Sequence, residues 1–270
     1  MKIIKYIIVL LLVLSFSKKN SISNITVTGI EYIKTIRNDS INTFWQGNYF
    51  LYRAKNISKF YLKNKITSIV DVENGDIEFK PKNSKTKILF KDYNKNELYS
   101  KDLIGFKFFT IKDSINIINW EIKSEQKEIL GYTCTLAESS FRGREYKAWF
   151  TPDLTAGGPW KLDGLPGMIL RADTVDGYFS FEAIKIRVSK QDSIDFKNPY
   201  ISEKKMYSWS EFKQKYKQKA LDMSKYNPND DVFFVAPRIR SERYIEEDDK
   251  EYDIDKKIKK YLKNKSSNNN

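Results

Sequence analysis

The sequence contains no histidine among its 270 residues and one cysteine, Cys134. The first absence excludes Ser-His-Asp and Cys-His catalysis and every histidine-containing zinc or iron site. The second excludes an intramolecular disulfide and any multi-cysteine metal centre. No cofactor or metal is expected, since a metal here would need oxygen ligands alone. No apolar run approaches the ~20 residues that span a bilayer, so no transmembrane segment is expected in the mature chain. Glycine and proline are also scarce, at 11 and 7 residues. Yet 7 of those glycines and 3 of those prolines fall between Gly131 and Gly177, which marks a loop of fixed geometry rather than a slack one.

What is present begins with an export signal. Lys2 and Lys5 form a basic start, residues 6–14 an apolar run, and Ser15-Phe16-Ser17 a small-residue end. This layout predicts a secretory signal peptide over residues 1–17 and a periplasmic or secreted product. The formal charge of +13 falls to +11 when Lys2 and Lys5 leave with it. Such a charge raises nucleic acid as a partner. However, only 9 of the 48 basic residues are arginine, and no nucleic-acid-binding signature accompanies them, so no specific nucleic acid is expected.

Strand patterns dominate. Residues 25–36, 43–52, 57–63, 77–79, 86–93, 106–111, 115–123, 131–139, 146–151, 168–172 and 178–188 are rich in β-branched and aromatic residues between turn formers. Short spacings without helical crossovers predict a mainly β fold, a single curved antiparallel meander sheet resembling a half-barrel. Ser208-Trp209-Ser210-Glu211 has capping-box spacing, and Phe212, Tyr216, Ala220 and Met223 follow at helical intervals. This predicts one C-terminal amphipathic helix over 209–225. The domain is expected to run from 18 to 245, with its motif core at 115–190. A charged, disordered tail is expected over 246–270.

Within the motif core, Tyr146, Ala148 and Phe150 share one strand face, which sends Trp149 to the other. Leu165-Pro166-Gly167-Met168 suits a type II turn with positive φ at Gly167, and Asp163-Gly164 adds another reversal. Gly164, Pro166 and Gly167 are therefore expected as structural turn residues holding Trp160 between bends. Two readings stand. Either the turns close one end of the sheet and bury the tryptophans, or Trp149, Trp160, Arg142 and Arg144 rim a cleft. Such a cleft would take an amphipathic or anionic ligand. Asp153, Asp163 and Asp173 are the acids nearest the loop, where paired carboxylates could serve hydrolysis. Cys134 alternates with Tyr132 and Leu136 and reads as a buried packing residue rather than a reactive thiol.

Asn119-Trp120-Glu121-Ile122, Gly131-Tyr132-Thr133-Cys134, Phe141-Arg142-Gly143-Arg144, Ala148-Trp149-Phe150-Thr151, Gly158-Pro159-Trp160 and Gly164-Leu165-Pro166-Gly167-Met168-Ile169 follow one another in the chain. In this order they resemble the GLPGLI family of exported Gram-negative proteins, over about residues 115–190. Met168 stands where leucine is usual, and Thr155 where proline often follows. The resemblance implies an envelope location and a β-rich fold, and it brings no reaction with it. The function expected is non-catalytic binding of a lipid, peptide or glycan. The alternatives are a peptide- or glycan-directed hydrolase and an accessory subunit, bound to an envelope protein, of an outer-membrane transport machine.

Overall fold

The computed structural model describes residues 25–38, 43–62, 69–71, 75–77, 88–104, 107–191 and 197–224. The expected signal peptide and charged tail lie outside them. The strands are β1 (Ile25–Asn38), β2 (Thr43–Ala54), β3 (Ile57–Leu62), β4 (Ile69–Asp71), β5 (Gly75–Ile77), β6 (Ile88–Asp92) and β7 (Glu97–Ile104). They continue with β8 (Lys107–Ser114), β9 (Glu121–Ile129), β10 (Tyr132–Phe141), β11 (Arg144–Thr151), β12 (Met168–Thr174) and β13 (Phe179–Gln191). One helix follows, α1 (Trp209–Ser224). The fold is mainly β, as expected: one open antiparallel sheet ordered β8-β7-β6-β3-β2-β1-β13-β12-β11-β10-β9, with the β4–β5 ribbon attached to β2.

The chain meanders to one edge at β8, jumps to the other edge at β9, and meanders back until β13 pairs with β1. That jump forces curvature. Laid flat, eleven strands would span about 48 Å. The link over 115–120 reaches at most about 25 Å from Ser114 to Glu121. The sheet must therefore roll. Register shifts at Glu31/Tyr32, Thr135/Ala137 and Trp149/Phe150 supply the bends. The roll brings Asp113, at the exit of β8, into an ion pair with Arg142 at the β10–β11 turn.

Three local expectations need correction. Residues 115–120 are the link rather than a strand, with Ile115 and Ile118 buried as anchors. Strand β9 instead runs on to Ile129 through Glu125, Gln126, Lys127 and Glu128, charged because it is a sheet edge. Strand β7 lies outside every expected strand segment, because it carries no simple alternation: both of its faces are covered, with Leu98 inward and Tyr99 outward beneath Tyr200.

After β13 the chain returns across the outer face. Tyr200 buries against Phe90 and Tyr99, and its hydroxyl donates to the Ile88 carbonyl. Tyr207 then adds in parallel beside Ile111, accepting from the Lys112 amide at 2.9 Å and donating to the Thr110 carbonyl at 2.9 Å. This covers the β8 edge. The capping box forms as read: the Glu211 carboxylate accepts from the Ser208 amide at 2.7 Å, and the Ser208 hydroxyl accepts from the Glu211 amide at 3.2 Å. Phe212 and Tyr216 of α1 bury against Ile104 and Ile111.

Candidate functional site

The Gly/Pro/Trp loop between β11 and β12 lies inside the rolled sheet. Its Leu154, Leu162 and Leu165 join Ile30, Tyr32, Leu51, Phe60, Leu89 and Leu98 in one core. Peptide groups taken into such a core must find partners, and the inward faces of the strands provide them. The Arg53 Nε–H donates to the Ala156 carbonyl at 2.9 Å. The Lys91 ammonium donates to the Gly158 carbonyl at 3.0 Å, the Leu162 carbonyl at 3.3 Å and the Asp163 carboxylate at 2.7 Å. The Tyr93 hydroxyl donates to the same carboxylate oxygen at 2.7 Å, and the Trp120 indole N–H to the Asp163 carbonyl at 2.8 Å. The Lys91 side chain is 0% exposed and that of Asp163 3%. Burial pulls Lys91 below the usual lysine value, while the Asp163 charge pulls it back up. Burial, and then that same charge, pushes Tyr93 well above the usual tyrosine range.

The turn residues act differently from expectation. Gly164 has the left-handed φ of 96° that the Asp163-Gly164 reversal required. Gly167 does not adopt positive φ, so the type II turn is absent. Glycine is needed there for closeness: a Cβ would collide with the Thr151 carbonyl, while the Gly167 carbonyl accepts from the Gly157 amide at 3.2 Å. Gly158 is constrained likewise, by the Leu162 carbonyl and the Ile169 side chain. Pro166 is exposed.

The four expected rim residues divide. Arg142 and Gly143 both have positive φ, 50° and 76°, which makes the tight β10–β11 hairpin turn. The Arg142 guanidinium sits 3.8 Å from the Trp209 ring centroid and pairs with Asp113. Arg144 pairs with Asp176 and lies 4.1 Å from the Tyr178 ring. Trp160, at a left-handed φ of 51°, packs on Phe179 and Phe181, with Lys34 and Lys161 ammonium groups 5.9 and 5.7 Å from its centroid. Lys161 also lies 4.7 Å from the Trp209 ring. These contacts form one cation–aromatic cluster running from Arg142 through Trp209 and Lys161 to Trp160. Trp149 stands apart on the opposite face of β11, covered by Lys127 at 4.0 Å. The aromatic plug joining Trp149 to Trp160 therefore does not form, because the strand alternation that exposes Trp149 also turns it from the loop.

Sequence reasoning missed Trp209, Lys161, Lys34 and the pair Lys91–Asp163. Lys161 adjoins Trp160 and was legible as a neighbour. Trp209 stood inside the capping box, whose meaning was purely helical. Nothing local linked Lys91 to Asp163. The three acids considered for hydrolysis have separate surroundings: Asp163 is bound by Lys91 and Tyr93, Asp173 by the Arg171 guanidinium at 2.8 and 3.2 Å, and Asp153 is exposed. Among the described residues no cluster of acids and cysteine is placed to hold a metal. Cys134 is buried, and burial pushes its thiol up to about 11.

The sequence matches no family model and no curated relative. It is similar to two solved structures of PNGF-II, in C2 and P21 crystal forms, each at 17% identity, with TM-scores of 0.46 and 0.48. The match covers 72% of this chain but 32% and 34% of theirs, so it spans about a third of the PNGF-II chains.

Proposed function

We propose that the chain is an exported envelope protein of the GLPGLI family that binds, without chemical conversion, an anionic amphipathic ligand at the cation–aromatic cluster. One observation carries this reading: the half-buried Trp209 indole has both the Arg142 guanidinium, 3.8 Å from its ring centroid, and the Lys161 ammonium, 4.7 Å from it, as neighbours. An indole supplies apolar contact, and the buried Lys161, together with Arg142 already paired with Asp113, sets positive charge beside it that favours an anionic headgroup. The left-handed backbone at Trp160 supports it, since strain held in place by surrounding packing is typical of ligand clamps. The ligand sits on this rim and not inside the sheet, whose interior is filled by the protein's own loop.

The test is a titration with dodecyl phosphate below its micellar concentration, followed by tryptophan fluorescence and native mass spectrometry. Trp209→Ala should weaken binding by tenfold or more, because aromatic anchors of this kind carry about 2 kcal/mol or more. Trp149→Ala, remote from the cluster, should leave it unchanged. Equal effects of the two changes would refute the assignment of the rim.

A further inference from the structure

We propose that Lys91 and Asp163 condense slowly after folding into an internal amide, which ties the sheet covalently to the loop it encloses. The ion pair between them is the state before this reaction. The Lys91 Nζ lies 2.7 Å from Asp163 Oδ2, and the two side chains are 0% and 3% exposed. That spacing sets the nitrogen on the order of 3.5 Å from the carboxyl carbon, within the range of near-attack contacts. Lysine–carboxylate pairs at the surface, such as Lys112 with Glu97 and Lys101 with Glu203, are open to water, which favours the separate ions. Here both reacting groups are shut off from the bulk solvent that opposes condensation.

The neighbours meet the needs of the chemistry. Burial disfavours the ammonium, so its proton passes along the 2.7 Å hydrogen bond to Oδ2, leaving a neutral amine beside a carboxylic acid. The Gly164 amide donates to Oδ1 at 2.9 Å and holds the charge that gathers there when the amine attacks the carbon. The Tyr93 hydroxyl, 2.7 Å from Oδ2, protonates the departing oxygen and regains a proton from the nitrogen. Burial, then the Asp163 charge, keeps Tyr93 protonated, as that role requires. One C–N bond forms, one C–O bond breaks and one water leaves; nothing is oxidised or reduced. The new N–H keeps the Gly158 carbonyl, 3.0 Å from Nζ, as its acceptor. The amide joins β6 to the β11–β12 loop across 72 positions of sequence. It braces a chain whose single cysteine permits no internal disulfide.

The test follows the intact mass of the full chain, denatured after the folded protein has been incubated at neutral pH for increasing times. Near-ultraviolet dichroism establishes that each incubated sample is folded. The mass should fall by that of one water, and a protease digest should yield a branched peptide joining Lys91 to Asp163. Lys91→Met should keep its full mass. Tyr93→Phe retains both reactants and the ring, and should slow condensation by about a hundredfold or more, the usual contribution of a positioned acid. An unchanged mass in folded wild-type protein would overturn the proposal, as would the same loss from Lys91→Met. So would a lost water carried on a linear Asp163-Gly164 peptide, which marks a succinimide instead of a cross-link. The readout uses no ligand, so its failure leaves the proposed rim untouched.

Discussion

Changing Asp163 to asparagine keeps the side-chain shape but removes the carboxylate that faces both Lys91 and Arg53. The Lys91 ammonium would then be wholly buried with only the Gly158 and Leu162 carbonyls and the asparagine oxygen as acceptors. Arg53 already opposes the Lys91 charge, so two cations would share the interior without an anion. Removing one partner of a buried pair costs about 3–5 kcal/mol. For a domain of this size that lowers Tm by between about 6 and 20 °C. Lys91→Met should cost less, because the Asp163 carboxylate keeps the Tyr93 hydroxyl at 2.7 Å, the Gly164 amide at 2.9 Å and the nearby Arg53 charge. The double variant should cost less than the two single costs added, by about 2 kcal/mol.

The assay is urea unfolding followed by tryptophan fluorescence, with Trp120 as an internal reporter through its bond to the Asp163 carbonyl. A pH series adds a readout that lost packing alone would not move. Lys91 is held below its usual value in the folded protein, so the unfolded chain binds more protons between the two values. Stability of Asp163→Asn should therefore rise with pH up to the ordinary lysine value, and more steeply than in the wild type. Strict additivity of the two single changes, or a cost below about 1 kcal/mol for Asp163→Asn, would refute the view that this pair holds the loop.

Dodecyl phosphate should distinguish Trp209→Ala from Trp149→Ala, since only the former indole has Arg142 and Lys161 beside it. Burial is the first cause pushing Tyr49, Tyr61, Tyr99 and Tyr200 up to about 12, so the folded protein resists their ionisation. That stability is complete below about pH 10, the unfolded value, and is lost as pH rises toward 12; tyrosinate absorbance should lag and then appear together with loss of near-ultraviolet dichroism. Gly167→Ala should cost about 3 kcal/mol through collision with the Thr151 carbonyl, measured by thermal unfolding. Gly131→Ala, at φ 83° with open space around it, should cost only about 1–2 kcal/mol, the left-handed backbone penalty. Leu162→Ala should destabilise by about 2–5 kcal/mol and open the interior to a small apolar probe such as benzene, which the wild type should exclude.

The strand-rich sheet, its antiparallel order and the capped helix were legible because each depends on residues close in sequence: β-branched runs, two-residue turns, and Ser208 with Glu211. The roll was legible only as a resemblance to half-barrels, since it follows from a six-residue link between opposite edges and no side chain announces it. Residues 115–123 read as a strand because isoleucine at 115, 117, 118 and 122 mimics one, whereas Ile115 and Ile118 are buried to anchor a crossing. The Leu-Pro-Gly tripeptide read as a turn because proline and glycine satisfy two unrelated needs, special dihedrals and close backbone approach. Only the folded backbone separates the two. Trp149 and Trp160 read as partners by proximity in the chain, yet strand alternation sends one indole outward while the loop carries the other inward.

The inward faces of the sheet carry residues that a plain β-sandwich would not tolerate: Arg53 on β2, Lys91 on β6, and Tyr32 on β1. Each is explained by the loop it meets. Much of the 156–169 loop is buried inside the sheet, and an unpaired buried carbonyl costs about 1–3 kcal/mol. Arg53 takes Ala156, Lys91 takes Gly158 and Leu162, Trp120 takes Asp163, and the Tyr32 hydroxyl takes Ile169 at 2.6 Å. Five carbonyls thus receive side-chain donors from three strands and the 115–120 link. Two buried cations in turn require an anion, and Asp163 is positioned within the same loop to be it. Polar residues scattered over more than a hundred positions become one arrangement, in which the loop supplies acceptors and the sheet supplies donors. The sheet can close around this loop only when both are in place, so its curvature and the loop's conformation must form cooperatively. That is why the Asp163 substitution, made inside a short loop, should lower the unfolding transition of the whole sheet in a single step.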